Sequence, residues 1–328
     1  MFPPSVRDPA SMTKAEGKLY VAGAHGMVGS AVMRALEARG TADILAPDRT
    51  ALDLTDQHAV NAYFERERPR AVVLAAAKVG GILANDRYRA DFLYENLMIE
   101  ANVMRAAFDN GVEKLIFLGS SCVYPREAPQ PIKESSLLTG PLEPTNEPYA
   151  VAKIAGIKLC ENLYRQHGAN FYSLMPTNLY GPNDNFDLET SHVIPALIRK
   201  IHAAKSDAAA SVEAWGTGKP RREFMYVDDL ADAVVFYLEN VDASSIYGRG
   251  VSHVNIGFGE DITIRELIEN ISSIIGFGGQ VEFDSTKPDG TPRKLLDVSL
   301  SNELGWSAKT SLADGLVETY NWYLENEQ

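Results

Sequence analysis

The chain has 328 residues, 45% hydrophobic and 23% charged, the composition of an ordinary soluble globular protein built as one large α/β unit or two domains. Its net charge of −13 argues against a non-specific grip on nucleic acid or an anionic membrane, and no apolar run approaches the roughly 20 residues that span a bilayer. Two cysteines, Cys122 and Cys160, make neither a disulfide framework nor a zinc site, so a reduced cytoplasmic setting without a metal is expected.

The opening MFPPSVRDPASMTKAEG lacks the apolar core of a secretory signal, and residues 1–16 are expected to be a disordered extension or cloning remnant. KLYVAGAHGMVGSAVMRALEARG then reads as strand, glycine turn and helix. Its run from Leu19 to Ala22 is short and continuously apolar, as in a strand covered on both faces. Met33 and Leu36 recur at helical spacing up to Gly40, a helix stop. The rhythm repeats with ADILAP as strand, DQHAVNAYFERERP as helix and AVVLAAAKVGG as buried strand. A long helix is predicted over roughly residues 86–109, followed by the strand KLIFLGS, a helix over Tyr149–Gln166 and the strand FYSLMPT. Alternating units of this length predict a parallel, doubly wound Rossmann-type sheet with right-handed crossovers.

After Pro176 the rhythm breaks. NLYGPNDNFDLETSHVIP is rich in Asn, Asp, Pro and Gly and reads as a binding loop. EFMYVDDLADAVVFYLEN and HVNIGF return to α/β character, with Asp228 and Asp229 expected to cap a helix. ITIRELIENISSII is an amphipathic helix, and a last helix covers about residues 311–326. The expected division is a dinucleotide-binding domain over 17–177 and 226–258, with a smaller substrate lobe over 178–225 and 259–328.

Gly23, Gly26 and Gly29 form GxxGxxG between a strand and a helix. Absent side chains permit a tight turn and close approach of a pyrophosphate, which helix N-terminal N–H groups favour. At the end of the second strand, an acidic residue would hold a ribose hydroxyl and a basic one a 2′-phosphate; Asp48 and Arg49 offer both signs. Asp53 and Leu54 are placed near an adenine. Ser120 follows an apolar strand at the edge where a parallel sheet binds ligands. Tyr149 and Lys153, at i and i+4, share a helix face, so the ammonium lowers the cost of moving the phenol's proton. With a hydride carrier, this is a unit for carbonyl–alcohol chemistry.

These features resemble the extended short-chain dehydrogenase/reductase superfamily over nearly the whole chain after residue 17. Within it the chain is most similar to the GDP-4-keto-6-deoxy-D-mannose 3,5-epimerase/4-reductase family, whose product is GDP-L-fucose. GAHGMVGSAV, LAAAKVGGI, FLGSSCVYP, LEPTNEPYAVAKIAGIKLCE, MPTNLYGPNDNF, SHVIPALI, REFMYVDD and KPDGTPRKLLDV carry that likeness. It implies that Cys122 and His192 move protons at C3 and C5 of the sugar. The C4 ketone acidifies both neighbouring C–H bonds, and thiol and imidazole are tunable to near-neutral pKa values. It implies NADPH as cofactor, lined by Gly23, Gly26, Met27, Val28, Gly29, Arg49, Asp53, Leu54, Ala75, Tyr149, Lys153, Pro176 and His192. It implies Asn178, Arg199 or Lys200, Trp215, Arg222 and Lys294 around the GDP-sugar, Trp215 packing on the nucleotide or in the lobe core. The family commonly has arginine where this chain has His25, which leaves the NADPH/NADH ratio open. A homodimer through the helix near 86–109 and the Tyr149 helix is implied too; Phe92, Leu93, Leu97 and Met98 fit either that seam or the sheet. A nucleotide-sugar 4-epimerase or 4,6-dehydratase would share the Tyr/Lys unit, but a dehydratase favours an acidic pair near Ser120, where this chain reads SSCVYP. A non-catalytic NADPH-sensing scaffold would be expected to lose part of the set, which is intact here.

Overall fold

Strand β1 (Leu19–Ala22) is buried at all four positions, as a central parallel strand requires. It feeds the glycine turn and helix α1 (Met27–Ala38). These features belong to a computed structural model that describes residues 17–187, 190–286 and 289–326; the extension expected over 1–16 lies outside the described residues. Strand β2 (Ile44–Leu45) is shorter than ADILAP suggested, because Asp43 takes a left-handed conformation (φ 55) and Pro47 lacks a ladder donor. Helix α2 (Gln57–Glu67) starts on Asp56, whose carboxylate accepts from the N–H groups of His58 and Ala59. Strand β3 (Ala71–Leu74) is again wholly buried.

The helix expected near 86–109 is divided into α3 (Ile82–Arg87) and α4 (Arg89–Asp109) at Tyr88, whose backbone is non-helical. The Asn85 amide donates to the carbonyls of Gly80 (2.7 Å) and Gly81 (3.1 Å), tying the short helix to the turn before it. Strand β4 (Lys114–Leu118), helix α5 (Glu147–His167) and strand β5 (Phe171–Pro176) follow. Proline in its first turn and Gly168 (φ 72) at its end bound α5.

The predicted binding loop carries strand β6 (Asn178–Tyr180) and leads into helix α6 (Val193–Ser206). Then come β7 (Ser211–Trp215), β8 (Arg221–Tyr226), α7 (Val227–Asn240), α8 (Ala243–Tyr247) and β9 (Val254–Ile256). The chain ends through β10 (Asp261–Thr263), α9 (Ile264–Ile275), β11 (Gln280–Asp284), β12 (Arg293–Lys294), α10 (Ser299–Glu303) and α11 (Leu312–Asn326). A Thr263/Glu266 capping box starts α9 and Gly276 (φ 75) stops it.

The main sheet is parallel throughout, in the order β2-β1-β3-β4-β5-β9. Strand order reverses between β1 and β3, which opens a crevice at their carboxyl ends. Val32, Leu36, Leu230 and Val234 of α1 and α7 fill one face; Phe64, Met104 and Ile157 of α2, α4 and α5 fill the other. A third cluster, with Ile198, Ile271 and Leu316, holds α6, α9 and α11 over the small sheets β10-β8-β12 and β11-β7, with β6 beside β8. Leu300, Leu304 and Trp306 return to the main core. Asp229 is not a helix cap: its carboxylate accepts from Lys309 N (3.2 Å), Thr310 N (2.9 Å) and Thr310 Oγ1 (3.0 Å), fastening that return. No helix among the described residues is long and apolar enough to cross a membrane.

Candidate active site

The carboxyl ends of the main sheet meet the smaller lobe at a cavity of about 1270 Å3. The glycine turn forms one end. Gly23 sits at φ 84, and a Cβ there would lie 2.7 Å from the Ala76 backbone. A Cβ on Gly29 would lie 1.9 Å from the Gly23 carbonyl oxygen, so α1 presses directly on the turn. Gly26 begins α1 without a side-chain cap, and no acidic residue occupies the first turn. The helix N–H groups and dipole are thus available to an anion. Met27, Val28, Ala75 and Pro176 line the same space.

The opposite signs at Asp48 and Arg49 are separated by geometry. Asp48 Oδ1 accepts from Thr50 Oγ1 (2.7 Å), Thr50 N (2.9 Å) and Ala51 N (2.9 Å), bonds that hold its carboxyl below the usual range. Its charge is committed to its own turn. Arg49 is exposed at the cavity edge, its guanidinium 3.6 Å from Glu95. His25 is held by a 3.2 Å contact from Nε2 to the Ala46 carbonyl. Asp53 caps its own turn through Thr55, and the Leu54 carbonyl accepts from Asn102 (3.0 Å); both line the cavity.

Beyond β4 the chain turns through Ser120 into a single 3-10 turn over Ser121–Val123. The Ser120 hydroxyl lies 3.0 Å from Cys122 Sγ, and Tyr149 lines the cavity beside them. Burial first, then the neighbouring Cys122 and Glu100, push the Tyr149 pKa well above its ordinary value. The resting phenol therefore keeps its proton. One turn along α5, Lys153 donates to the Leu118 carbonyl (3.1 Å) and lies 5.8 Å from the Tyr149 ring centre. His192 begins α6 and faces the cavity; surrounding protein lowers its pKa, so the neutral imidazole dominates near pH 7. Its loop is pinned because Gly81 N donates to the Thr190 carbonyl (2.9 Å) and a Cβ on Gly81 would lie 2.8 Å from the Ser191 carbonyl oxygen.

The smaller lobe supplies cations. Asn178 donates to the Glu223 carbonyl (2.8 Å), and Lys200 lies 5.6 Å from the Trp215 ring centre. Arg222 and Lys294 face the same cavity, with burial lowering the pKa of both. Arg199 does not line it: its guanidinium donates to the Phe186 carbonyl (2.9 Å), leaving Lys200 of that pair. Two polar residues of α4 escaped the sequence reading. Asn96 accepts from Lys78 N (2.9 Å) and donates to Lys78 O (3.0 Å), imitating a neighbouring strand, and Glu100 faces Lys153 at 3.0 Å. A signal existed: Phe92, Asn96, Glu100, Val103 and Ala107 share the buried helical face, with polar groups where the period calls for apolar ones.

A phosphate-ready glycine turn and a Tyr–Lys–Ser unit in one crevice agree with three resemblances. GDP-L-fucose synthase 1 of Arabidopsis thaliana is 55% identical over 317 residues, 97% of this chain and 96% of that protein. GDP-L-fucose synthase of Escherichia coli K12 is 54% identical over 312 residues, covering 94% and 97%. The solved structure of MlghC, a GDP-mannoheptose C4 reductase from Campylobacter jejuni with NADP bound, superposes with a TM-score of 0.87 at 38% identity over 95% of this chain and 99% of its own. The NAD dependent epimerase/dehydratase family model matches residues 19–257, and the chain belongs to that family.

Proposed function

We propose that this chain converts GDP-4-keto-6-deoxy-D-mannose to GDP-L-fucose, inverting C3 and C5 and then reducing C4 with NADPH. The observation that carries this reading is that Cys122 Sγ lies 3.0 Å from the Ser120 hydroxyl while Tyr149, Lys153 and His192 line the same cavity. The proton-moving thiol and the proton donor for reduction thereby serve one bound sugar. Near-full-length relatives at 54–55% identity bear the same activity in their names.

The C4 ketone acidifies the hydrogens at C3 and C5. Cys122 and His192 act as the base and acid that remove a proton from one face and return one to the other. Ser120 donates to O4 and holds charge on that oxygen. After both inversions Tyr149 gives its proton to O4, and Lys153 stabilises the phenolate left behind. NADPH supplies the hydride for C4 when bound. The Gly23–Gly29 turn and the open α1 N-terminus suit its pyrophosphate, and exposed Arg49 suits a 2′-phosphate. Lys200, Trp215, Arg222 and Lys294 are assigned to the GDP-sugar, with Arg222 on the diphosphate.

The division into a cofactor domain (17–177, 226–258) and a sugar lobe (178–225, 259–328) is part of this reading, as is a cytoplasmic homodimer pairing α4 and α5. Exposed Tyr94 (62%) and Val151 (42%) on those helices support it. The test is incubation with GDP-4-keto-6-deoxy-D-mannose and NADPH in D2O. One NADPH should be oxidised per GDP-L-fucose formed, with deuterium at both C3 and C5. Turnover without net NADPH oxidation would instead mark a 4-epimerase or a 4,6-dehydratase.

A further inference from the structure

We propose that Glu100 is a positioning residue for the reduction: its buried carboxylate fixes the Lys153 ammonium beside Tyr149 and balances its charge. The proposal rests on the assignment of the reduction to Tyr149 and Lys153.

Both side chains are 2% exposed, and Glu100 Oε1 lies 3.0 Å from Lys153 Nζ. Neither Glu100 oxygen has a hydrogen-bond partner among the described residues, so the ion pair with Lys153 is its compensation there. The lysine is held from three sides: by Glu100, by the Leu118 carbonyl at 3.1 Å and by the Phe117 ring, whose centre is 4.6 Å away. Helix α5 is notched to admit this arrangement. A Cβ on Gly156 would lie 2.7 Å from Glu100 Oε2 and 2.6 Å from the Phe117 ring.

The titratable groups sensing Glu100 from α5 are Lys153, Tyr149 and Cys160; β4 brings the apolar Phe117 and the Leu118 carbonyl. Lys153 is the cation of this set. Burial pushes Glu100 up to about 7, and Lys153 opposes that rise, so the carboxylate prevails above neutrality. A buried acid with one partner is a poor way to gain stability, since desolvation opposes the Coulomb gain. Placed behind a proton donor, it has a use instead. It supplies the counter-charge that holds the ammonium in place among apolar surroundings.

Glu100→Gln keeps the shape and removes the charge. Reduction of GDP-4-keto-6-deoxy-D-mannose should then slow by about tenfold or more, a loss within the range of proton-transfer catalysis, and its pH dependence around neutrality, where Glu100 titrates, should flatten. Solvent-deuterium exchange at C3 and C5, which does not use Lys153, should stay within about twofold of wild type and reports that the site is intact. Adding Glu100→Gln to Lys153→Met should slow reduction no further. A Gln variant that reduces at the wild-type rate with an unchanged pH profile would overturn the proposal, as would equal loss of exchange and reduction.

Melting tests the pairing without substrate. Lys153→Met strands the carboxylate, so this variant should melt lower near pH 8 than near pH 6, and adding Glu100→Gln should remove that difference. A Lys153→Met variant without the difference would overturn the pairing. Absence of exchange in wild type would refute the epimerase reading instead, leaving melting to decide on Glu100.

Discussion

Replacing Gly29 by alanine adds one methyl group at the tightest contact of the nucleotide turn. The new Cβ would lie 1.9 Å from the Gly23 carbonyl oxygen, 2.6 Å from the Gly23 carbonyl carbon and 2.7 Å from Ala24 Cα. Ordinary contact begins near 3.4 Å, so α1 must retreat by about 1.5 Å or the Gly23 peptide must turn. Neither is cheap. Gly23 is backed by Ala76, and α1 is pinned to α7 through the fully buried Val32 and Leu36. Overpacking of this kind costs about 1–3 kcal/mol. Total stabilities of about 5–15 kcal/mol absorb that, so the variant should fold with a lowered urea midpoint. The displaced first-turn N–H groups lose charge-assisted bonds to the pyrophosphate, worth about 1.5–3 kcal/mol each, so the Kd for NADPH should rise at least about tenfold. Gly26→Ala is the control for the urea midpoint alone, because a Cβ there meets no protein atom closer than 3.6 Å. A Gly29→Ala enzyme with wild-type urea midpoint and NADPH affinity would refute the account of the turn.

Burial pushes Asp184 up to about 7, and one of its oxygens has no hydrogen-bond partner among the described residues. A folded pKa above the unfolded value near 4 means the native state holds that proton more tightly, so stability declines as pH rises from about 4 to 7. Asp184→Asn should therefore gain about 1–2 kcal/mol near pH 8 and nothing near pH 4, read from urea midpoints at both. Arg49→Ala should weaken NADPH binding about tenfold more than NADH binding, since Asp48 is already committed to its own turn. Equal losses for the two nucleotides would remove Arg49 from the 2′-phosphate. Arg222→Lys should raise KM for the GDP-sugar about tenfold with little change in kcat, because an ammonium cannot replace a bidentate fork. A kcat effect with unchanged KM would contradict that placement.

The Rossmann half was legible because strands buried on both faces announce themselves as short apolar runs, and β1, β3, β4 and β5 all do. The smaller lobe was less legible. Its strands β10 and β12 are three and two residues long, too short for a pattern, and β7 pairs with β11 across more than sixty residues of chain. Side-chain direction was the other loss. Arg199 and Lys200 are adjacent in sequence, and only the packing of α6 turns Lys200 to the cavity and Arg199 to Phe186. Asp228 and Asp229 look like a cap, yet Asp229 reaches a segment eighty residues away and Asp228 pairs with Arg34 at 2.5 Å. Glu100 was hidden by the opposite effect: inside a long helix, one charged residue looks like a solvated face until its depth is known.

On the proposed function, one cavity carries two separable proton chemistries, one through Cys122 and His192 and the other through Tyr149 and Lys153. The most direct test is a single D2O experiment on Tyr149→Phe and Cys122→Ser, following NADPH oxidation by absorbance and deuterium at C3 and C5 by NMR. Tyr149→Phe should lose reduction by about 100- to 10,000-fold yet keep exchanging deuterium, whereas Cys122→Ser should lose exchange and form no GDP-L-fucose. Reduction at the wild-type rate in Tyr149→Phe, or undiminished exchange in Cys122→Ser, would contradict the account.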